Sequence, residues 1–433
     1  MSGALTRYIR TFTGFNRDAR LFLLTTVIYG AALSLYWIDF NLYLESIGLG
    51  SLIGLMLSAS MLAGFLVAIP ASALSDRFGR RALMAAGMTL VALALLAFLP
   101  GQRALLFIGV LALGAGSQIV GVVQIPFIAE HTLPEQRNEY FSLWAAVGFL
   151  TTLVSAVVGG AVAQTLADRL GLGSASAPYQ VLLVGVAILG VFALGTVYLL
   201  TNDRPAVDRE RTPGSGRFGL VISDRKLFFR LLLPGFLTSL GAGQLIPFLN
   251  VFIEKKFGLD LAAVNAVFAV ASLGTAVAIL AQPAVARRFG RIGSIVLVQG
   301  ASIPFIVVLG FSPVLWTVVA ALAVRNSLMN AGSPIFDAFS MDRVSPGERA
   351  TLAAGMTLLW NLGWVIAPIY YSVLRDTLGF YPGFAVDFVT IIVMYTIATS
   401  LLWHWFRDTD RTAARGDVVA PVPIEAPVLV EHA

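Results

Sequence analysis

The 433-residue chain contains no cysteine, only three histidines and only three lysines. Without thiols there is no disulfide framework, no thiolate nucleophile, no cysteine zinc site and no cysteine-borne lipid anchor. His131, His404 and His432 are too widely spaced for a histidine metal motif. None of Lys226, Lys255 and Lys256 follows a glycine, which excludes an ATP-binding P-loop. Charge is scarce too. Only 12% of residues are charged, against about 25% in a soluble globular protein. That leaves too little polar surface to keep so large a chain in water.

Apolar residues fill the gap, at 58% of the chain with a mean hydropathy of +0.83. An apolar run of about 18 residues or more is long enough to cross the hydrocarbon as a helix. Twelve such runs can be read, at 21–44, 50–71, 82–100, 104–129, 140–164, 179–200, 227–252, 261–286, 292–311, 313–338, 350–374 and 381–406. The fold class is therefore an all-α integral membrane protein. The first run lacks a small-residue cleavage site and is too long for a signal-peptide core, so it is expected to stay.

Basic residues give the direction. With the N-terminus inside, Arg77, Arg80, Arg81, Arg287, Arg288 and Arg291 all fall in cytoplasmic loops. The outside receives only Arg103, Arg169, Lys255, Lys256 and Arg375, while Arg325 lies within a span. Both termini are thus expected in the cytoplasm. The Pro-, Gly- and charge-rich stretch 202–226 reads as a cytoplasmic linker. It separates a first bundle, 1–201, from a second, 227–406, and leaves 407–433 as a disordered tail.

The two halves repeat at an offset of roughly 210 positions. Asn41-Leu42-Tyr43-Leu44-Glu45 matches Asn250-Val251-Phe252-Ile253-Glu254, and Phe78-Gly79-Arg80-Arg81 matches Phe289-Gly290-Arg291-Ile292. Pro134-Glu135-Gln136-Arg137 matches Pro346-Gly347-Glu348-Arg349. Internal repeats of this kind mark transporters that rock two bundles about a central site.

The loop from Ser72 through Asp76, Arg77, Gly79, Arg80 and Arg81 resembles the G-x-x-x-D-R-x-G-R-R signature between helices 2 and 3 of the major facilitator superfamily, with Ser72 in place of the first glycine. The resemblance covers about residues 15–410. It implies two pseudo-symmetric six-helix bundles, with helices 1, 4, 7 and 10 around a central cavity and no cofactor. It also implies a small-molecule cargo, a monomer and no enzymatic activity. In the family this loop latches the cytoplasmic ends together when the cavity faces outward; that role carries to Asp76, Arg77, Gly79, Arg80 and Arg81.

Ionisable groups inside hydrocarbon are expensive and are functional candidates by default. Asp39 lies about five residues from the outer end of the first span, on one helical stripe with Tyr36 and Tyr43. In proton-coupled relatives an acid on this helix carries the proton, which makes the proton the expected coupling ion. Arg325 lies near the middle of the tenth span beside Asn326 and Asn330. A buried guanidinium needs a carboxylate, carbonyls or an anionic ligand. Pairing with Asp39 would have to bridge roughly 10 Å of depth. The remaining candidates are Gln118 and Gln124, Gln244 and Asn250, and the Trp360, Asn361, Trp364 turn, where rings and amides suit an amphipathic cargo. Such amides also join membrane helices to one another. Asn41 and Asn250, like Glu45 and Glu254, repeat in both halves, which argues for helix-end scaffolding.

The leading expectation is a proton-coupled exporter of amphipathic, drug-like compounds in the inner membrane of a bacterium. The fifth span keeps Gly159-Gly160 of the drug–proton antiporter signature but has Ser155-Ala156 in place of its Gly-Pro. The second reading is an importer of a small anionic metabolite held by Arg325. A third is a non-transporting membrane sensor, against which stands the lack of room for an effector domain. Nucleic acid is not an expected partner; the net charge of +5 serves topology.

Overall fold

The structure, a computed structural model, describes residues 14–133, 136–201, 222–273, 291–345 and 348–414. Every regular element among them is helical. The first half comprises α1 (Arg17–Ser46), α2 (Ile53–Phe78), α3 (Arg80–Phe98), α4 (Arg103–Glu130), α5 (Arg137–Arg169) and α6 (Ala177–Tyr198). The second comprises α7 (Arg225–Phe257), α8 (Leu261–Leu273), α9 (Arg291–Phe311), α10 (Leu315–Met341), α11 (Arg349–Leu378) and α12 (Phe380–Ala414). Ten of these helices are long and apolar enough to cross a membrane. The apolar stretches Leu261–Leu273 and Leu315–Met329 supply the two remaining places. All twelve expected spans are therefore represented.

Local signals set the ends. Asn16 Oδ1 accepts the Ala19 N–H at 2.7 Å and starts α1, and Asp224 Oδ1 accepts the Lys226 and Leu227 N–H groups and starts α7. Gly79, at φ 96°, separates α2 from α3, a conformation costly for any residue with a Cβ. Most helices overrun the apolar runs read from sequence by a few residues at one or both ends. α12 continues to Ala414, past the expected end at 406. The rest of the expected eighth span, the second loop copy at 287–290, linker residues 202–221 and the tail from 415 lie outside the described residues.

The sequence repeat becomes a packing repeat. In the first half α1 packs on α5 and α6, and α3 on α4 and α6. In the second α7 packs on α11 and α12, and α9 on α10 and α12. The same four pairings thus recur six helices later. Close approach relies on small residues, as in many membrane bundles. A Cβ on Gly87 of α3 would stand 2.9 Å from the Gly116 carbonyl of α4.

At the cytoplasmic side of the second half, one carboxylate ties chain segments together. Glu348 accepts from Ser223 N at 2.6 Å, Ser223 Oγ at 2.7 Å, Ser345 N at 3.1 Å and Ser345 Oγ at 2.7 Å. These bonds favour the charged form and hold its pKa well below the usual carboxylate range, at about 2. A depressed folded-state pKa gives stability that is present above the unfolded value near 4.5 and lost as pH falls toward about 2. Thermal unfolding should therefore show Glu348→Gln less stable than wild type at pH 7, with the gap closing as pH drops from 5 to 3. A gap independent of pH over that range would contradict the assignment.

Candidate functional site

The two halves meet at their outer ends. Pro247 interrupts α7 with a 3-10 turn over Ile246–Phe248. The Val251 N–H, which would face the Pro247 carbonyl in a regular helix, bonds Asn250 Oδ1 at 2.9 Å. The Pro247 carbonyl accepts instead from Asn41 Nδ2 of α1, at 2.6 Å. Asn250 Nδ2 returns the contact to the Ile38 carbonyl of α1, at 2.5 Å. Each asparagine thus donates to the residue three positions before the other, a clasp with the two-fold symmetry of the repeat.

Charged groups ring this clasp. Glu45 pairs with Lys255 and receives Arg375 Nη2 at 2.8 Å, while Arg375 Nη1 also donates to the Gly50 carbonyl at 3.0 Å. Tyr179 of α6 donates to Glu254 at 2.5 Å. α2 and α11 touch where Gly54 lies against the Pro368 backbone and Ser372. Among the described residues, every hydrogen bond between halves lies at this outer end. The outside is shut.

Asp39 sits within this closed region. It is 1% exposed, and its Oδ1 accepts from Asn265 Nδ2 of α8 at 2.7 Å. The same amide is steadied by the Leu261 carbonyl at 3.0 Å, and Gly160 of α5 packs directly against Asn265. Asn265 went unnoticed in the sequence, because one amide in an apolar run carries no pattern. Tyr36 and Tyr43, expected beside Asp39 in a cavity, are packed in the core. Tyr36 stacks on Phe98 and leans on Phe40.

Arg325 lies elsewhere, on a chamber of about 520 Å³ formed by α7, α9, α10, α11 and α12. Its Nη2 donates to the Tyr395 hydroxyl at 2.8 Å and its Nη1 to Asn326 Oδ1 at 3.0 Å. No acidic side chain pairs with it among the described residues. Met329, Trp360 and Trp364 add apolar walls, and the enclosed Trp364 Nε1 has no partner among the described residues. Asp337 lines the same chamber, about 18 Å further along α10 toward the cytoplasm. Asp39 and Arg325 are not brought together; their partners are Asn265 on one side and Asn326 and Tyr395 on the other.

Other expected cavity residues are spent differently. Asn250 belongs to the clasp. Gln244 donates to the Asp387 carbonyl of α12 at 3.3 Å and joins two helices. Gln118 packs its Cβ near Gly64 of α2. Gln124 lines a smaller chamber of about 280 Å³ within the first half, with Tyr29, Ser117 and Trp144. Asn361 is half-buried and does not line the Arg325 chamber. The Asn330 side chain lies outside the described residues.

On the cytoplasmic side, the motif loop binds its own half. Arg80 Nη2 and Nε reach Glu130 Oε1 at 3.1 and 3.2 Å, and Nη1 donates to Ser75 Oγ at 2.8 Å. Arg81 donates to the Tyr198 carbonyl at 2.6 Å. Arg77 is exposed, its guanidinium over the Phe78 ring at 5.3 Å, and the Asp76 side chain lies outside the described residues. These bonds link α2, α3, α4 and α6 into one unit.

Twelve spans in two repeated halves, with a closed outer gate and a chamber below it, define a secondary transporter. The family profile of the Major Facilitator Superfamily matches residues 22–368, and the chain belongs to that family. It is a membrane transporter and not an enzyme. Similar solved structures include a bacterial homologue of the human lysosomal transporter Spinster, inward-facing and occupied. That likeness has a TM-score of 0.69 at 16% identity, over 90% of this chain and 96% of that one. A nucleoside transporter, NupG, gives 0.69 at 13% identity over 90% and 99%. A D-xylose–proton symporter gives 0.68 at 13% identity over 92% and 97%. At these identities the likeness is one of fold. No curated protein sequence matches.

Hydrogen bonds between membrane helices contribute about 0.6 kcal/mol on average and up to about 1.7. Replacing both Asn41 and Asn250 by Ala removes two such bonds and should therefore favour outer opening by roughly eight-fold, and by at most about three-hundred-fold. Spin labels at Ser51→Cys and Thr377→Cys, in a chain with no other thiol, should report a longer outer distance. An unchanged distance distribution would show that the clasp does not hold the gate.

Proposed function

We propose that this transporter exports an amphipathic organic solute bearing a negatively charged group, in exchange for protons. One observation carries the reading: Arg325 faces a largely apolar chamber and, among the described residues, is paired with no carboxylate. A cation so placed favours a ligand anion, and a charged hydrogen bond of this kind contributes about 1.5–3 kcal/mol. Trp360, Trp364 and Met329 offer faces for an apolar body, and the unpartnered Trp364 Nε1 offers a further donor. This keeps the amphipathic cargo expected from sequence but moves its recognition from Asp39 to Arg325. Asp39, buried and held only by an amide, remains suited to a proton. With outer contacts broken, Arg77, Arg80 and Arg81 would tie the cytoplasmic ends together. The likeness to a D-xylose–proton symporter supports proton coupling as a family capacity. A cysteine-free, arginine-rich chain fits a bacterial inner membrane, and the reading needs only a monomer.

The second reading, uptake of a small anionic metabolite, shares the Arg325 anchor and differs in direction and in its need for the tryptophan walls. Tryptophan fluorescence of the purified protein can test the site with a panel of lipophilic carboxylates, lipophilic quaternary ammonium ions and small hydrophilic carboxylates. Lipophilic carboxylates should quench wild type, and Arg325→Ala should weaken that binding roughly ten- to a hundred-fold. Preferred binding of the ammonium ions, unaffected by Arg325→Ala, would overturn the assignment. Preference for the small hydrophilic acids would favour uptake.

A further inference from the structure

We infer that Asp387 is a second proton-binding site, a buried carboxyl of the second half placed between the outer gate and the Arg325 chamber. It lies in α12, seven residues from the helix start at Phe380, or about 10 Å below the outer end. Asp39 lies seven residues before the end of α1 at Ser46, so the two carboxyls share one depth, one in each half. Asp387 is 0% exposed, and neither carboxylate oxygen has a partner among the described residues. Its neighbours along α12, Phe384, Phe388 and Ile391, are all fully buried. An unpaired carboxylate in such a place costs several kcal/mol, so with the outer gate shut the group is a neutral acid.

The neighbours of Asp387 give the proton a role. On α11, Tyr371 lies close enough to feel its charge, and the Tyr371 hydroxyl accepts from Arg375 Nη1 at 3.5 Å. Arg375 is the guanidinium that holds Glu45 across the gate. Along α12, Asp387 shares one stripe with Ile391 and Tyr395, at spacings of four and eight residues. Tyr395 holds Arg325. A carboxyl here is thus linked to the gate through α11 and to the cargo arginine through its own helix. The other charged groups on the elements packed against it are engaged elsewhere: Glu254 of α7 accepts from Tyr179, and Arg375 of α11 holds Glu45. Lys256 of α7 donates to the Gly310 carbonyl, and α9 has no titratable residue beyond Arg291 at its cytoplasmic start.

The proposed step moves one proton between water and an Asp387 carboxylate oxygen. Opening of the gate admits outside water, and the carboxylate takes a proton before it can be buried again. Closure without that proton would strand a charge in hydrocarbon. The inference rests on the proton-exchange reading above and adds to it a proton that Asp387 gives up to outside water when the gate opens and regains before the gate closes, so that this carboxyl sets the pH at which the outer side opens.

Two readouts test it without any cargo. Infrared spectra of the purified protein in lipid vesicles, recorded across pH 5–9, should show the carbonyl stretch of buried protonated carboxyls. Asp387→Asn should remove one component and Asp39→Asn another, with thermal unfolding of both variants near wild type. The Ser51→Cys, Thr377→Cys spin-label pair should show the outer gate opening as pH rises. The Asp387→Asn form, which cannot lose a proton there, should open less steeply. Should Asp387→Asn misfold, the wild-type spectrum with Asp387→Glu still decides, because a glutamic acid shifts the band without removing it. An infrared band and a pH profile identical to wild type in Asp387→Asn would overturn the second site while leaving the exchange reading intact. If wild type itself shows no pH dependence and no buried acid, the exchange reading falls as well.

Discussion

Hydrocarbon gives no hydrogen bonds, and the organisation of this transporter follows from where its chain supplies them internally. The clearest case is the break at Pro247. A carbonyl released inside a membrane helix must find a donor, and the donor comes from the opposite half as Asn41. Because the halves repeat, Asn250 makes the reciprocal bond to Ile38, and two helix irregularities become one joint. Two hydrogen bonds of this kind join the halves at modest strength, so water could replace them when the outer side opens. Glu45, Arg375 and Lys255 surround it with ion pairs that water can replace at low cost.

Polar groups in the spans then divide by whether they are satisfied. Gln244, Asn250 and Arg80 are hydrogen-bonded to neighbouring helices and hold them in place. Arg325 lacks a counter-charge, while Asp39 and Asp387 keep carboxylate oxygens with no donor. In the proposed reading, the groups left incomplete in so costly a medium are the ones that meet the cargo and the proton. The two kinds of incompleteness are separated in space. The cation opens on a chamber of about 520 Å³, while the acids lie nearer the outer gate, out of contact with solvent. In the proposed exchange, such separation would let cargo and proton bias the same two-state equilibrium without touching each other.

Much of this was legible in the sequence. Hydrophobic length and arginine placement gave the spans and their direction. The Asn41 and Asn250 repeat, read as helix-end scaffolding, became the clasp. Arg325 stood out because a charge inside an apolar run needs a reason. What stayed hidden was tertiary. Nothing in a stripe containing Tyr36, Asp39 and Tyr43 tells a cavity from a packed aromatic cluster, and here Phe98 fills the space beside Tyr36. Asn265 has no periodic signature, yet it holds Asp39. Asp387 lies in the first turns of a span, where an acid reads as an interfacial residue until its enclosure by α7, α9 and α11 is seen.

In the proposed cycle the Arg325 chamber holds the cargo and faces the cytoplasm while the outer ends of the two halves are clasped together. Since the chain has no cysteine, Thr357→Cys places a single thiol on that chamber. In vesicles of known orientation, a membrane-impermeant thiol reagent should label it from the cytoplasmic side and leave it largely untouched from outside. A lipophilic carboxylate should slow the labelling, and Arg325→Ala should remove that protection. Equal labelling from both sides, or protection that survives Arg325→Ala, would contradict the account.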